Sequence, residues 1–535
     1  MDHDGQNQPD SAAPGEGGRP GQRADRSLWR DPNPPGKAAL SAVQGRVLDP
    51  GTAISVKGID PRPTAYVGPR LVVSGLVDAA ERIARLTQAA EKLDWTLTVR
   101  DDVPERGAAV LVRLEIGLAD GQATLAPDGW VLLQHARARF GIETMSGVGL
   151  DHLVFIRGAE PEPFHDSSPF HESSPFGTAP SAAVATYAVP GSGGRQPVAF
   201  VGPAPLRRPD AEIAGRRPVV AVLDTGCGAH PWLDGVVDHD VRLDGRPIGY
   251  VDPASAPEDY PDQVGPLDGG IDELAGHGTF IAGLVHQQCP DAQIVSWRVV
   301  GSAGPIVESD LVAALTQIAE VARRHRDGEE GGHPIDVLNL SMGYYHETPD
   351  DALFDPTMQH LLTVLGQCGT VVVCSAGNDA TARPMFPAAF GPWLDGHGPA
   401  PLDHDAVPVV CVGALNPSGR SDALFTNAGP WVRVHEAGAA VLSTMPAFEG
   451  GLLPMARAEA YQRTRESIDP DNFQGRFAVW SGTSFAAPVA AGKVAAALVG
   501  DLTVAQLTAE HRAADRAQAR GRARAALAAV GYLGP

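Results

Sequence analysis

Between Val219 and Val412 the chain alternates short apolar runs with amphipathic stretches, and this alternation narrows the choice of fold more than any other feature. The runs are Val219 to Leu223, Ile294 to Val299, Ile335 to Leu340, Val371 to Cys374 and Val409 to Val412. Runs this short and this apolar mark strands buried on both faces. Between them Leu311, Leu315, Ile318 and Val321 recur at helical spacing. Strands alternating with helices predict an α/β domain, a parallel sheet with helices on both faces, whose chemistry gathers at the carboxyl ends of the strands.

The rest of the chain divides by texture. Residues 1–60 are rich in Gly, Pro, Asp and Gln and read as a leader without order. Over 61–158 both periods occur: Ile83, Leu86, Ala90 and Leu93 fit a helix face, while Val110, Val112, Leu114 and Ile116 alternate as in a strand. A second helix is expected after Pro127 and a closing strand over Leu153 to Ile156, which makes a small α+β domain of βαββαβ order. Residues 159–212 return to Pro, Ser and Gly and include a repeat, Pro163 to Ser168 and again Pro169 to Ser174, so they read as a linker. The α/β domain then fills 213–535.

Charge removes several function classes. Lys and Arg number 42 against 64 Asp and Glu, a net charge of −22, which disfavours nucleic acid and anionic membranes as partners. No stretch approaches the ~20 apolar residues of a membrane span, and no basic start with an apolar run opens the chain, so a cytoplasmic location is expected. The five cysteines show no CxxC spacing; neither a disulfide framework nor a zinc site is expected.

Four strings carry chemistry. Asp224 ends Val219 to Asp224, where a carboxylate after five apolar residues needs a partner, although a lone Asp-Thr-Gly is more often a turn. His277, in Gly276-His277-Gly278-Thr279, opens an apparent helix, and imidazole is the side chain best suited to proton transfer near neutral pH. Ser484, in Trp480 to Pro488, stands at a helix start; the ordinary role there is an N-cap, but a nucleophilic serine needs the same rigid placement. Asn378 ends Val372 to Asp379, either as a turn residue or as an amide donor for an oxyanion.

In these strings and their order the chain resembles the subtilisin-like serine proteases, the subtilases, whose Asp, His, Ser order is the one known from subtilisin itself. The resemblance runs from about residue 213 to the C-terminus. It implies a subtilisin-like fold in which Asp224 orients the imidazole, His277 is general base and acid, Ser484 is the nucleophile and Asn378 supports the oxyanion. It also implies that Leu340, Ser341, Met342 and Gly343 form a strand that pairs with an extended peptide, and that Ser375, Ala376 and Gly377 form the opposite wall of the pocket. Phe425 to Pro430, Ala437-Gly438 and Leu442 to Thr444 are similar to the family's late strands, and Leu502 to Leu507 to the start of a family helix. The small α+β domain is pro-region-like in size and place, which implies a zymogen cut between Gly158 and Arg217.

Certain features depart from the family. Gly283 to Pro290 runs on without the usual calcium loop, so neither a metal nor another cofactor is expected. Residues 447–476 form an insertion with helical content over Met455 to Arg465, and Arg512 to Arg524 form a basic helix with a solvated face. Cys227 lies three residues from Asp224, where packing is a commoner role than reactivity. The expected substrate is a protein or peptide. The rival readings are an inactive subtilase scaffold that binds peptides, and an N-terminal domain or linker that docks a protein partner.

Overall fold

A computed structural model describes residues 31–32, 34–100, 111–119, 125–156, 187, 189, 193–199, 202–213, 215–264, 267, 269–301, 305–348, 356–396, 398, 403–500 and 509–533. The expected parallel sheet is present with seven strands. Its order is Val434–Ala437, Val410–Leu415, Val371–Ser375, Val337–Leu340, Val219–Asp224, Gln293–Arg298 and Val237–Asp238. Every pairing is parallel, with Gln293 opposite Val219 and Val337 opposite both Val220 and Val371. Alternate residues of each strand therefore enter two cores. Ala221, Leu223, Val295 and Leu338 pack toward the helices Glu308–Asp327 and Pro356–Gln367, whereas Val220, Val222 and Ile294 face His277–Gln288 and Thr483–Leu498. Burial on both faces is the reason these strands read as continuous apolar runs.

The N-terminal unit follows the expected βαββαβ order through Thr64–Ser74, Ala79–Ala90, Trp95–Arg100, Leu111–Leu118, Gly129–Phe140 and Val148–Val154. Its two longer helices begin at Asp78 and Asp128, whose carboxylates accept from Glu81 N and Val131 N at 3.0 Å, the usual N-cap arrangement. Leu86, Leu114, Trp130, Leu133 and Leu150 form its core. The closing strand starts at Val148, earlier than expected, because Gly149 and Asp151 interrupt the apolar pattern, although Gly149 pairs with Val72 in the ladder with Thr64–Ser74.

Part of the stretch expected as a leader is ordered. A helix spans Lys37–Ala42, and the strand Gly45–Leu48 pairs antiparallel with Thr64–Ser74, where Leu48 supplies the apolar anchor that Gly and Pro around it obscure. The same holds at the end of the expected linker: Gln196–Val198 adds an edge strand to Phe477–Trp480, and Arg195 donates to the carbonyls of Ile271 and Asp272 at 2.9 and 2.8 Å. The repeat at 163–174, Val110 and Leu502 to Leu507 lie outside the described residues.

The insertion is not helical. Arg457–Ala460 and Arg463–Glu466 form an antiparallel hairpin, turned at Tyr461 and Gln462 with φ of 53° and 61°. Both central residues in the left-handed region make the tight turn that matches strand twist. Neither strand buries a residue, so there is no apolar face whose period could have distinguished strand from helix. The basic helix is present as Ala509–Ala529, but its arginines are not merely solvated: Arg524 donates to the carbonyls of His404 and Ala406 at 2.7 Å.

The two units share an edge. Ile306–Val307 of the large domain pairs antiparallel with Leu153 and Val154, extending the N-terminal sheet to six strands. Asp151 accepts from Ser309 N and Ser309 Oγ, both at 2.9 Å, so the small domain caps the helix Glu308–Asp327 of the large one.

Candidate active site

Asp224 ends its strand at the carboxyl edge of the sheet and is fully buried. Its Oδ1 accepts from Thr225 N at 2.8 Å and lies 2.7 Å from His277 Nδ1. A carboxylate at that distance fixes the tautomer with the proton on Nδ1, which leaves Nε2 as the acceptor. His277 is the first residue of His277–Gln288. The glycines beside it permit close packing: Gly276 has φ 84° and a Cβ there would stand 2.5 Å from the Met445 side chain, while a Cβ on Gly278 would lie 1.9 Å from Gly226 O. Trp480 and Phe485 flank the imidazole with ring centroids at 5.7 and 5.2 Å.

Ser484 is the second residue of Thr483–Leu498, and its Oγ donates to Ser341 O at 3.3 Å. His277 Nε2 and Asp224 Oδ2 are buried without a hydrogen-bond partner among the described residues. No hydrogen bond therefore joins Ser484 Oγ to His277 Nε2, a looseness common in catalytic sites without substrate. Asn378 is held from behind, its Oδ1 accepting from Thr483 N and Thr483 Oγ1, both at 2.8 Å. That arrangement uses the amide oxygen and presents the nitrogen as the side chain's donor.

The two expected walls flank the serine. Ser341 Oγ donates to Ser484 O at 2.8 Å, and Leu340 ends its strand, with Met342 buried next to Ser341. Gly343 is already paired, exchanging backbone hydrogen bonds of 2.9 and 3.0 Å with Phe155 of the N-terminal domain. Across the cleft Ser375 ends its strand, Ala376 N donates to Val412 O at 2.9 Å and Gly377 N donates to Thr483 Oγ1 at 3.0 Å.

Sequence reasoning missed Glu258. Its carboxylate accepts from Thr225 Oγ1, Thr279 Oγ1 and Gly278 N, so it ties the residue after Asp224 to the two residues after His277. Burial, reinforced by the nearby Asp224 charge, pushes this carboxyl up to about 7 against the pull of those donors. No motif surrounds it, and only its place in the fold reveals it. Burial likewise pushes the Cys227 thiol up, which suits inert packing.

A second polar cluster joins the domains. His152 of the N-terminal unit lies between carboxylates, Nδ1 at 2.5 Å from Glu308 and Nε2 at 2.7 Å from Glu347. Burial would lower its proton affinity, but the two carboxylates outweigh it and hold the imidazolium up to about 10. Among the described residues His152, His346 and Glu347 have metal-ligating proximity, within 4.8 Å of one another. Yet both ring nitrogens of His152 are engaged, and His346 Nδ1 accepts from Thr348 N at 3.1 Å, so ion pairing and hydrogen bonding already satisfy the donors.

The family model for the subtilases, described as the subtilase family, matches residues 215–523, a span that holds all four catalytic candidates. The chain belongs to the subtilase family. This subtilase is 28% identical over 296 residues to Mycosin-4 of Mycobacterium tuberculosis, covering 53% of this chain and 55% of that one. It is 26% identical over 287 residues to the thermophilic serine proteinase of a Bacillus species, covering 52% and 51%. The chain spans about half the length of these curated relatives. The crystal structure of fervidolysin from Fervidobacterium pennivorans, a keratinolytic enzyme related to subtilisin, aligns with a TM-score of 0.43 at 19% identity, covering 84% of this subtilase and 58% of that chain. No described helix is long and apolar enough to cross a membrane.

Proposed function

We propose that this subtilase is a serine endopeptidase that hydrolyses peptide bonds through an acyl-enzyme. The observation that carries the reading is the 2.7 Å pair between Asp224 Oδ1 and His277 Nδ1, set in the cleft where Ser484 begins its helix. In the reaction His277 Nε2 takes the proton of Ser484 Oγ as that oxygen bonds to the scissile carbonyl carbon. The carbonyl oxygen becomes an oxyanion, which Asn378 Nδ2 and backbone N–H groups at the start of Thr483–Leu498 stabilise. The imidazolium, stabilised by Asp224, then protonates the leaving amine. Water enters by the same route in reverse, giving up a proton to His277 and releasing the acid from Ser484.

The N-terminal domain reads as an intramolecular inhibitor. Phe155 occupies the backbone of Gly343, the edge on which a substrate strand would pair, and an inhibitor fed through the cleft in this way is cut once it reaches the serine. The dense contact around His152 favours a second reading, a domain that stays docked after any cut and meets a partner of its own. A fluorophosphonate probe tests the main proposal. Labelling of Ser484, together with new peptide termini in a proteome digested by the protein, is the expected result; no labelling and no new termini would leave a peptide-binding scaffold.

A further inference from the structure

Ser341 and Gly343 from one wall, Ser375 and Gly377 from the other, and Ser484 line one pocket. Met385 and Tyr345 also line it, and the carboxylate lining it among the described residues is Asp379. This carboxylate is positioned by a short chain of buried groups. Tyr345 Oη donates to Asp379 Oδ2 at 2.6 Å and accepts from Asn427 Nδ2 at 2.7 Å, while Asn427 Oδ1 accepts from Asp379 N at 3.0 Å. Asn427 also binds the pocket wall, donating from Nδ2 to Ala376 O at 2.9 Å and from its backbone to Gly377 O at 2.9 Å. The acid is thus built into the pocket's frame.

We propose that Asp379 makes this subtilase select a basic side chain, Arg or Lys, in the residue whose carbonyl is attacked. The inference rests on the endopeptidase reading and deepens it. A half-buried carboxylate beside apolar Met385 loses much of its hydration when a substrate seals the pocket, and it recovers that loss only against a cation. Arg is the better match because its planar fork can engage a carboxylate with two N–H groups.

The protein's own sequence agrees with this chemistry. Phe155 pairs with Gly343, and in an antiparallel ladder a substrate residue two positions further on is opposite Ser341, the residue whose carbonyl meets Ser484 Oγ. In the sequence the second residue after Phe155 is Arg157, followed by Gly158; both lie outside the described residues, so the agreement is one of sequence alone.

The test compares matched fluorogenic peptides that differ only in Arg, Lys, Leu or Phe before the scissile bond, with full-chain wild type, Asp379→Asn and Asp379→Ala. Wild type should favour Arg over Leu in kcat/KM by roughly 10- to 100-fold, the range for hydrogen bonds to a charged group. Either substitution should collapse that ratio toward one, chiefly by raising KM for Arg. A wild type that labels with fluorophosphonate at Ser484 yet prefers Leu or Phe, or an Arg-to-Leu ratio unmoved in both variants, overturns the proposal alone. Absence of both labelling and turnover would instead defeat the endopeptidase reading.

Discussion

Phe155 and Gly343 hold each other by both backbone hydrogen bonds, Phe155 N to Gly343 O at 2.9 Å and Gly343 N to Phe155 O at 3.0 Å. One residue belongs to the N-terminal domain and the other to the large domain, so in the proposed reaction the small domain covers the edge on which a substrate would pair. Self-cleavage just past Phe155 would free that edge. Wild type is therefore expected to run as two fragments on a denaturing gel, the larger beginning at Gly158 by N-terminal sequencing, and Ser484→Ala to stay full length. If wild type also stays full length and is already active, the inhibitor reading gives way to the docking one.

Asn378→Ala should lower kcat by roughly 10²–10³, a magnitude known from the matching donor in subtilisin itself, with KM little changed. Asn378→Asp should do at least as much damage, because it keeps the oxygen that Thr483 uses but replaces the donor with a charge that repels an oxyanion. Steady-state kinetics separate the two parameters; a variant altered only in KM would remove Asn378 from the oxyanion site.

Glu258 provides a pH-dependent term. Its folded value, about 7, lies above the ordinary carboxyl value of 4.5, so the folded state binds the extra proton between these limits. Stability from this group is greatest below pH 4.5 and declines as pH rises to 7, where the buried carboxyl must ionise. Glu258→Gln should flatten that decline in a melting-temperature profile of the Ser484→Ala protein. Glu258→Ala should also cut kcat, since it unties Thr225 from Gly278 and Thr279; equal kcat in both variants would reduce the residue to a packing role.

His152 acts in the opposite direction. Its proton is held to about 10 in the folded state, so its contribution is complete below its ordinary 6.5 and is lost as pH climbs through 10, when two buried carboxylates lose their shared cation. Breaking a buried pair of this kind costs about 3–5 kcal/mol. In the Ser484→Ala background, His152→Gln is expected to melt several degrees lower at pH 6 and to converge on the parent near pH 10. Parallel melting curves across that range would show that the ion pairs do not bind the domains together.

Calcium chelation is expected to change the melting temperature little. The helix His277–Gln288 is unbroken and the chain turns through Cys289 into the strand Gln293–Arg298, leaving no loop there to supply the roughly six to eight oxygen ligands the ion takes. A fall of about ten degrees or more, equivalent to a few kcal/mol, would reveal a stabilising site elsewhere.

The sequence by itself determined the parallel sheet and the four catalytic candidates. Strands buried on two faces must be apolar throughout, and the chemistry at their ends is set in short strings, Asp-Thr-Gly, Gly-His-Gly-Thr and Gly-Thr-Ser, whose neighbours serve local geometry. Gly276 and Gly278 are there because backbone or side-chain atoms fill the space a Cβ would need. Tertiary structure alone decided what depends on distant partners. Glu258 meets Thr225 and Thr279 from 33 and 21 residues away, Tyr345 meets Asp379 and Asn427 from 34 and 82, and His152 meets Glu347 across 195. Such contacts leave no period in the sequence, because each is made by a single side chain whose partner is far along the chain. The hairpin at 457–466 was hidden for a related reason: a segment that buries nothing carries no apolar pattern from which its shape could be read.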